Sequence, residues 1–523
     1  MKKAFSHWFW SALLSGVLFA TSYPPFPAWA LFFSFVPLWR FWFHGKTLRE
    51  VALAGFVANF ALTIIGYNWV AHTANEYGHL PMSVSYFVLI AFCCFSSLNV
   101  ALAGVSVWSF HQKFRLSAPW FFVCLAVASA AFEWIYPMIF PWNMGYPLLY
   151  SKFYSAQLAE FGGFAGLSLL VNLANACFAM AFEKFPQAKW SRPLLVFLIG
   201  LSGTEIYGRY LLGQTGIEDR YVDVLMVQPN IGNYDKFFAE RGQGYQEPVV
   251  RKDFDITIKA FESISGVKPG LIVWPETAYP TNLDSYFKNK FYSSKLFDFA
   301  KGLHTPMITG AYSEDPPIAQ KRRTYNAMFA IDENGEVQPA YRKYILLAFG
   351  EYVPGGKWIP FLKTIVPEIS DFDRGDGPTA FKLGETLYSP LICYESIDTS
   401  YVNEVIKKGG QVMVNLANDS WYGPDFEPFQ NMIMSVARTI EFRRPMIRAT
   451  NTGVSVVADL RGQILTKGPQ GTEWTGVARV PYFSNNNKLT LYSKILPYLT
   501  FIFLGLLVAV LFIGRVLSEK QRN

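Results

Sequence analysis

Long apolar runs fill the first two-fifths of the chain, and short runs of strand length replace them afterwards. Runs able to cross roughly 30 Å of hydrocarbon fall near residues 7–22, 28–43, 51–71, 84–110, 119–138, 163–182 and 194–212, with one more near 494–514. Pro24, Pro25 and Pro27 separate the first two. About eight membrane-spanning helices are therefore predicted. Between them the texture changes: Val222 to Val227, Leu271 to Trp274, Met307 to Thr309, Met328 to Ile331, Pro390 to Cys393, Val412 to Leu416, Met446 to Thr450 and Val454 to Ala458 read as strands. Helical patterns separate several of them, at Phe254 to Ser263, Phe291 to Lys301 and Phe429 to Phe442. Strands mixed with helices over this length predict a single α/β domain. The expected division is seven helices in 1–217, the α/β domain in 218–488, and an eighth helix with a tail in 489–523.

Charge orients this plan. Lys2 and Lys3 precede the first run, Arg40, Lys46 and Arg49 follow the second, Lys113 and Arg115 the fourth, and Lys184, Lys189 and Arg192 the sixth, while Arg515, Lys520 and Arg522 follow the last. The intervening loops are nearly free of Lys and Arg apart from Lys152. An excess of basic residues marks cytoplasmic loops, so both termini are expected inside and 218–488 outside. Met1-Lys2-Lys3 ahead of an apolar run ending near Ala20-Thr21-Ser22 also reads as a cleaved signal peptide. Its removal would spoil the alternation of charged loops, which favours a retained span.

With 51% hydrophobic and only 16% charged residues in 523, the composition is that of a membrane protein carrying a soluble part. The net charge of +7 would point to nucleic acid only if it gathered on one soluble face within a binding module, and neither is evident, so no such partner is expected. A transporter would place ionisable groups in mid-span. Glu133 is the clearest candidate and lies near the outer end of its run, so the helices read as an anchor.

Cys93, Cys94, Cys124 and Cys177 lie within the apolar runs, which leaves Cys393 alone in the outer domain. Without a disulfide partner there it is either a small hydrophobe or a nucleophile, and Leu391-Ile392-Cys393-Tyr394-Glu395 puts it at a strand end beside a carboxylate. His304 is the domain's only histidine and falls in a polar turn, so Ser/His/Asp or Cys/His catalysis has a single candidate. Neither ligand clusters at zinc spacing nor a Gly-rich phosphate loop occur, so no metal or cofactor is expected. A thiol nucleophile would depend on carboxylates and lysines. Glu276 follows a strand stopped by Pro275, and Lys343 and Glu351 bracket an apolar run; taken singly, each also reads as a solvated charge.

Together these segments resemble the nitrilase superfamily, the carbon–nitrogen hydrolases that use a Glu-Lys-Cys triad. The resemblance rests on Trp274-Pro275-Glu276, on Lys343 with Glu351 in Phe349-Gly350-Glu351, on Cys393-Tyr394-Glu395, on Tyr325-Asn326, and on Asn418-Asp419-Ser420-Trp421-Tyr422-Gly423. Inserted between the last two of about eight spans, such a domain is similar to the apolipoprotein N-acyltransferase branch, as are Glu133-Trp134 and Phe140-Pro141-Trp142. Ala348 and Ala417 depart from that pattern, which commonly has proline and serine there, and the stretch from Glu133 to Trp142 lacks an expected arginine.

The resemblance implies an αββα sandwich with Glu276, Lys343 and Cys393 catalytic, and with Glu351, Tyr394, Glu395, Asn326, Asn418, Trp421 and Trp142 supporting or binding substrate. It further implies a thioester on Cys393, a phospholipid acyl donor, a diacylated apolipoprotein acceptor, and a periplasmic domain on a bacterial inner membrane. Two other readings compete. A tethered amidase would need only one anchor, and a receptor or transporter with an inactive outer domain would not need Glu276, Lys343 and Cys393 intact. Lys357 to Leu362 and Tyr286-Phe287 are aromatic segments that either dip into the membrane interface or pack in the domain core.

Overall fold

The computed structural model describes all residues except 1, 77, 185–188, 215–217, 233–238, 240–245, 265–267, 317–322, 349, 353–371, 486–487 and 523, with residues 2–6 described by backbone alone. The chain forms two compact units: one of Met1–Ala71, Pro81–Gln214 and Thr490–Asn523, the other of His72–Leu80 and Thr215–Leu489.

The first unit is helical. Its elements are α1 (Lys2–Ala20), α2 (Val36–His44), α3 (Leu48–Gly66), α4 (Trp69–Glu76, which runs on into the segment assigned to the second unit), α5 (Met82–Ser96), α6 (Leu98–Phe114), α7 (Ala118–Ile135), α8 (Tyr146–Tyr150), α9 (Ala159–Glu183) and α10 (Ser191–Leu212), with a final helix at Leu499–Arg522. Local rules set the ends: Thr47 caps α3 by accepting from the Glu50 N–H, and prolines open α2 and α7. Six helices among the described residues are long and apolar enough to cross a membrane, with His7–Ala20 a shorter seventh. The expected eight is not reached by this measure. The run at 28–43 supplies only the nine-residue α2, because residues 21–35 form turns.

Those turns are held by side chains the run itself does not contain. Asn175 on α9 donates to the Leu31 carbonyl (2.9 Å) and accepts from the Phe35 N–H (2.9 Å); Ser22 accepts from the Ala30 N–H (2.9 Å). Backbone buried among apolar helices must find such partners. The helices themselves meet closely: a Cβ added to Gly16 on α1 would lie 2.2 Å from the Ala58 carbonyl oxygen on α3, the small-residue contact typical of membrane helices.

The second unit contains two six-stranded sheets. The first, in spatial order β12-β1-β2-β3-β4-β5, comprises β1 (Arg220–Gln228), β2 (Leu271–Val273), β3 (Met307–Glu314), β4 (Thr324–Ile331), β5 (Tyr341–Arg342) and β12 (Trp474–Tyr482). The second, in order β11-β10-β9-β8-β7-β6, comprises β6 (Phe381–Leu383), β7 (Thr386–Ile392), β8 (Val412–Ala417), β9 (Met446–Thr450), β10 (Val456–Ala458) and β11 (Ile464–Lys467). Parallel pairing joins β1 to β2, β2 to β3, β7 to β8 and β8 to β9.

Period-two alternation builds the layers. Val224 and Met226 of β1 join Val273, Ile392, Val414, Leu416 and Ile447 in one core that draws on both sheets. Leu225 and Val227, pointing the other way, pack with Ile256 of α11 (Gln246–Ser263) and Leu296 of α12 (Phe291–Leu303). Two further helices, α13 (Thr399–Lys407) and α14 (Glu427–Phe442), pack on the second sheet. The result is the expected αββα sandwich.

Gly16→Leu should lower the midpoint of thermal unfolding of the detergent-solubilised chain by several degrees, as overpacking costs about 1–3 kcal/mol. An unchanged melting curve would show that α1 and α3 do not depend on close contact there.

Candidate active site

Strand ends carry the candidate residues. Glu276 follows β2, Lys343 follows β5, and Cys393 follows β7, so two parallel strands and one edge strand present them at one end of the sandwich. Glu276 is fixed by a close crossing. Gly310 of β3 donates to the Pro275 carbonyl (3.1 Å), and Tyr279 donates back to the Gly310 carbonyl (3.1 Å). A Cβ at Gly310 would lie 2.5 Å from the Thr277 nitrogen and 2.7 Å from the Glu276 Cα. Only glycine lets the Glu276 segment fold over the strand.

Lys343, 2% exposed, lies between carboxylates: its Nζ is 2.8 Å from Glu351 Oε2, 2.9 Å from Glu351 Oε1, and 3.6 Å from Glu276 Oε1. Asn326 Nδ2 donates to both acids, to Glu276 at 2.7 Å and Glu351 at 3.1 Å. The Leu347 N–H also donates to Glu351 (3.0 Å), which fixes the loop after β5. Burial works against the Lys343 ammonium, yet the charges of Glu351 and Glu276 outweigh it and hold the lysine above its ordinary pKa. Asn326 Oδ1 is buried with no partner among the described residues. Such an acceptor is costly to leave empty, by about 1–3 kcal/mol, and is available to a donor on a bound molecule or a water.

Cys393 adopts φ +50°, a left-handed conformation uncommon for a side chain other than glycine. Its carbonyl is held by the Ser396 hydroxyl (3.0 Å) and by Asn415 Nδ2 (3.2 Å), which also bonds the Leu391 carbonyl (3.2 Å). Behind these lies a buried polar ring. Asn415 accepts from Arg448, Arg448 donates to both oxygens of Asp419 (2.9 and 3.1 Å), and Glu427, held by Asn431 (3.0 Å), is buried in the electrostatic field of Asp419 and Arg448. Asn431 accepts from Ser435, whose hydroxyl returns to Ser396 (2.7 Å). Burial, then the charge of Glu276, pushes the Cys393 thiol well up, and Lys343 opposes them by drawing it down.

Glu395 ties the two loops together. It accepts from the Tyr344 N–H (2.8 Å), the Ile345 N–H (3.0 Å) and the Ile392 N–H (2.7 Å). Burial pushes its carboxyl up to about 7 against the pull of Lys343, the Ile392 N–H, the Tyr341 hydroxyl and the Ile345 N–H.

The structure therefore brings Glu276, Lys343, Glu351, Asn326, Cys393 and Glu395 into one buried cluster, with Tyr394 half-buried next to the thiol residue. Asn418 is buried and accepts from Ser420 (2.8 Å) and Asn451 (3.1 Å), a loop-shaping role, and Trp421 is half-buried in the short turn Asp419–Tyr422. Trp142 belongs to the helical unit, where it packs on Phe19 with ring centroids 5.5 Å apart and its Nε1 lacks a partner among the described residues. There Glu133 accepts from Asn143 (2.9 Å) and the Met144 N–H (3.3 Å), fixing the loop that follows α7.

His304 is exposed, left-handed, and ends α12, which is a capping role. Phe287 is buried, whereas Tyr286 is 40% exposed; Lys357 to Leu362 lie outside the described residues. Among the described residues no group of three or more His, Cys, Asp or Glu is arranged to hold a metal ion. Sequence reading did not single out Asn415, Arg448, Glu427 or Ser435. The available signal was a polar residue within the apolar strands Val412–Ala417 and Met446–Thr450, because a charge in a buried strand needs a buried partner.

Lys343 is the group that draws the thiol down, so its removal raises the thiol further. At a fixed neutral pH the thiolate fraction falls about tenfold for each pH unit by which a thiol becomes harder to ionise. Lys343→Met, with folding checked by circular dichroism, should therefore slow iodoacetamide alkylation of Cys393 by about tenfold or more. An unchanged rate would separate the lysine from the thiol.

Known proteins bear on this arrangement. A family model described as carbon-nitrogen hydrolase matches residues 243–482, and one described as the apolipoprotein N-acyltransferase N-terminal domain matches residues 15–177. The chain is 38% identical over 483 residues to an apolipoprotein N-acyltransferase of Bdellovibrio bacteriovorus, covering 91% of this chain and 88% of that one. A second, from Geobacter metallireducens, is 29% identical over 470 residues, covering 87% and 85%. Among solved structures, an amidase from Nesterenkonia sp. aligns over 53% of this chain and 97% of its own, at 18% identity and a TM-score of 0.35. A relative this similar along nine-tenths of the chain, with both family models matching in order, establishes that the chain belongs to the apolipoprotein N-acyltransferase family.

Proposed function

We propose that this protein transfers a fatty acyl chain from a phospholipid, through a thioester on Cys393, to the N-terminal amine of a diacylglyceryl-cysteine on an apolipoprotein. The observation that carries the reading is a buried ammonium, Lys343, placed between Glu276 and Glu351 and within electrostatic reach of the Cys393 thiol.

Glu276 takes the Cys393 proton as the sulfur attacks the ester carbonyl of the donor. The oxyanion that develops is met by the Lys343 ammonium and the Tyr394 backbone N–H; a preorganised donor of this kind lowers a barrier by about 3–4 kcal/mol in a dry site. The tetrahedral intermediate collapses, the glycerol oxygen leaves with the proton from Glu276 as a lysophospholipid, and the acyl chain stays on sulfur. The acceptor amine then attacks the thioester and gives its proton to Glu276, while the thiol is restored. Glu351 orients Lys343 through the two short contacts, and the empty Asn326 Oδ1 can accept an N–H of the incoming amine.

Because the resting thiol is held up by burial, little thiolate exists without substrate. Water is excluded by the same burial, so the thioester survives until an amine arrives. The multi-pass helical unit fits a bacterial inner membrane, and the distribution of basic loops supports a periplasmic α/β unit with both termini in the cytoplasm.

Phospholipid alone should give purified protein an acyl mass increment on the peptide containing Cys393, released by hydroxylamine, and initial rates with both substrates should trace parallel double-reciprocal lines. Cys393→Ser should form no hydroxylamine-sensitive adduct, and Glu276→Gln should slow the adduct by about 10²–10⁴-fold. Adduct formation persisting in Cys393→Ala would assign the nucleophile elsewhere. Orientation is read separately: Ser400→Cys, on an exposed turn of α13, should react with a membrane-impermeant maleimide added outside spheroplasts. Labelling only after lysis would reverse the topology.

A further inference from the structure

The helical unit contains a second feature that the acyl-transfer reading does not use: a cavity of about 650 Å³ between α1, α2, the start of α3 and the end of α9, within the roughly 300–1,000 Å³ of small-molecule sites. Along α1 its wall runs from His7 to Leu18. At about 1.5 Å per residue that is on the order of 16 Å, the depth of one leaflet of hydrocarbon. One end is apolar, walled by Leu18, Phe33 and Val36, and the other is charged, with Arg40, Lys46 and Glu50 on its lining.

The charges there are incompletely matched. Glu183 takes Arg40 through Nε (2.7 Å) and also His44 (3.0 Å), which leaves the two terminal nitrogens of the Arg40 guanidinium without a protein partner among the described residues. Lys46 has no ion-pair partner among them, and the carboxylate of Glu50 has none either, although its backbone N–H is taken by Thr47. One guanidinium paired at its Nε only, one free ammonium and one free carboxylate at the mouth of an apolar slot of leaflet depth complement a headgroup that carries a phosphodiester beside a primary ammonium.

We propose that this cavity binds one phosphatidylethanolamine-type glycerophospholipid, with its phosphate on Arg40 and Lys46, its ammonium on Glu50 and an acyl chain against Leu18, Phe33 and Val36. Arg40 and Lys46 belong to the set of basic residues that marks cytoplasmic loops, on the side opposite the one proposed for the α/β unit. The lipid held here is therefore a resident of the inner leaflet and not the acyl donor.

The probe is dialkyl (ether-linked) phosphatidylethanolamine, which offers no ester to Cys393, so the result does not depend on the acyl-transfer reading. Native mass spectrometry of the delipidated full chain should show one retained molecule, bound about tenfold more tightly than ether-linked phosphatidylglycerol. Glu50→Gln should erase that preference, and Arg40→Gln with Lys46→Gln should lose one lipid per chain while Cys393 acylation proceeds at its normal rate. Leu18→Trp, which fills the slot and spares the charges, should also lose it. Equal retention by the double variant or by Leu18→Trp would overturn the site, as would equal retention of an ether-linked diglyceride; equal affinity for the two headgroups in the unmodified chain would overturn the role of Glu50.

Discussion

The site is organised by one buried charge. Lys343 is all but inaccessible to water, and an ammonium taken from water without compensation costs several kcal/mol. Glu351 is the leading compensating charge and Glu276 the next, with Asn326 spanning both acids. Two acids around one cation leave a net negative charge, and that charge faces a thiol. The arrangement therefore keeps sulfur protonated at rest and leaves a carboxylate beside it that can receive its proton, as the proposed acyl transfer needs.

Placement of these groups follows from the sandwich. Strands end where loops begin, and each catalytic candidate is the first or third residue past such an end. What holds the loops is polar and buried: Gly310 for the Glu276 segment, Asn415 and Ser396 for Cys393, Leu347 and Glu351 for the segment after Lys343. Rigid strands and tied loops give a preorganised site, in which little reorientation is left for the moment of reaction.

Much of this was legible in the sequence because its signals are local. Trp274-Pro275-Glu276 is a strand stopped by proline, and Leu391-Ile392-Cys393 is a strand that ends on a thiol. The sandwich followed from strand-length runs and from the resemblance. What escaped depends on distant partners. Nothing near 28–43 shows that Asn175, some 140 residues away, would hold the turns that precede α2. Likewise Arg448 is a charge in an apolar strand whose reason, Asp419, lies 29 residues earlier. Hydropathy measures what a residue avoids and is silent on which partner it will find.

Glu395 gives the motif Cys393-Tyr394-Glu395 a mechanical meaning. Its two oxygens span from the last residue of β7 to the first two residues beyond Lys343, so one side chain fastens the Cys393 loop to the Lys343 loop. An aspartate, one methylene shorter, would reach one anchor or the other but not both, and a glutamine would offer one acceptor oxygen to three donors. The separation between sulfur and ammonium is thus gauged by the length of a side chain that touches neither, and a family member with a different spacing there would need a different tie before it needed a different catalyst.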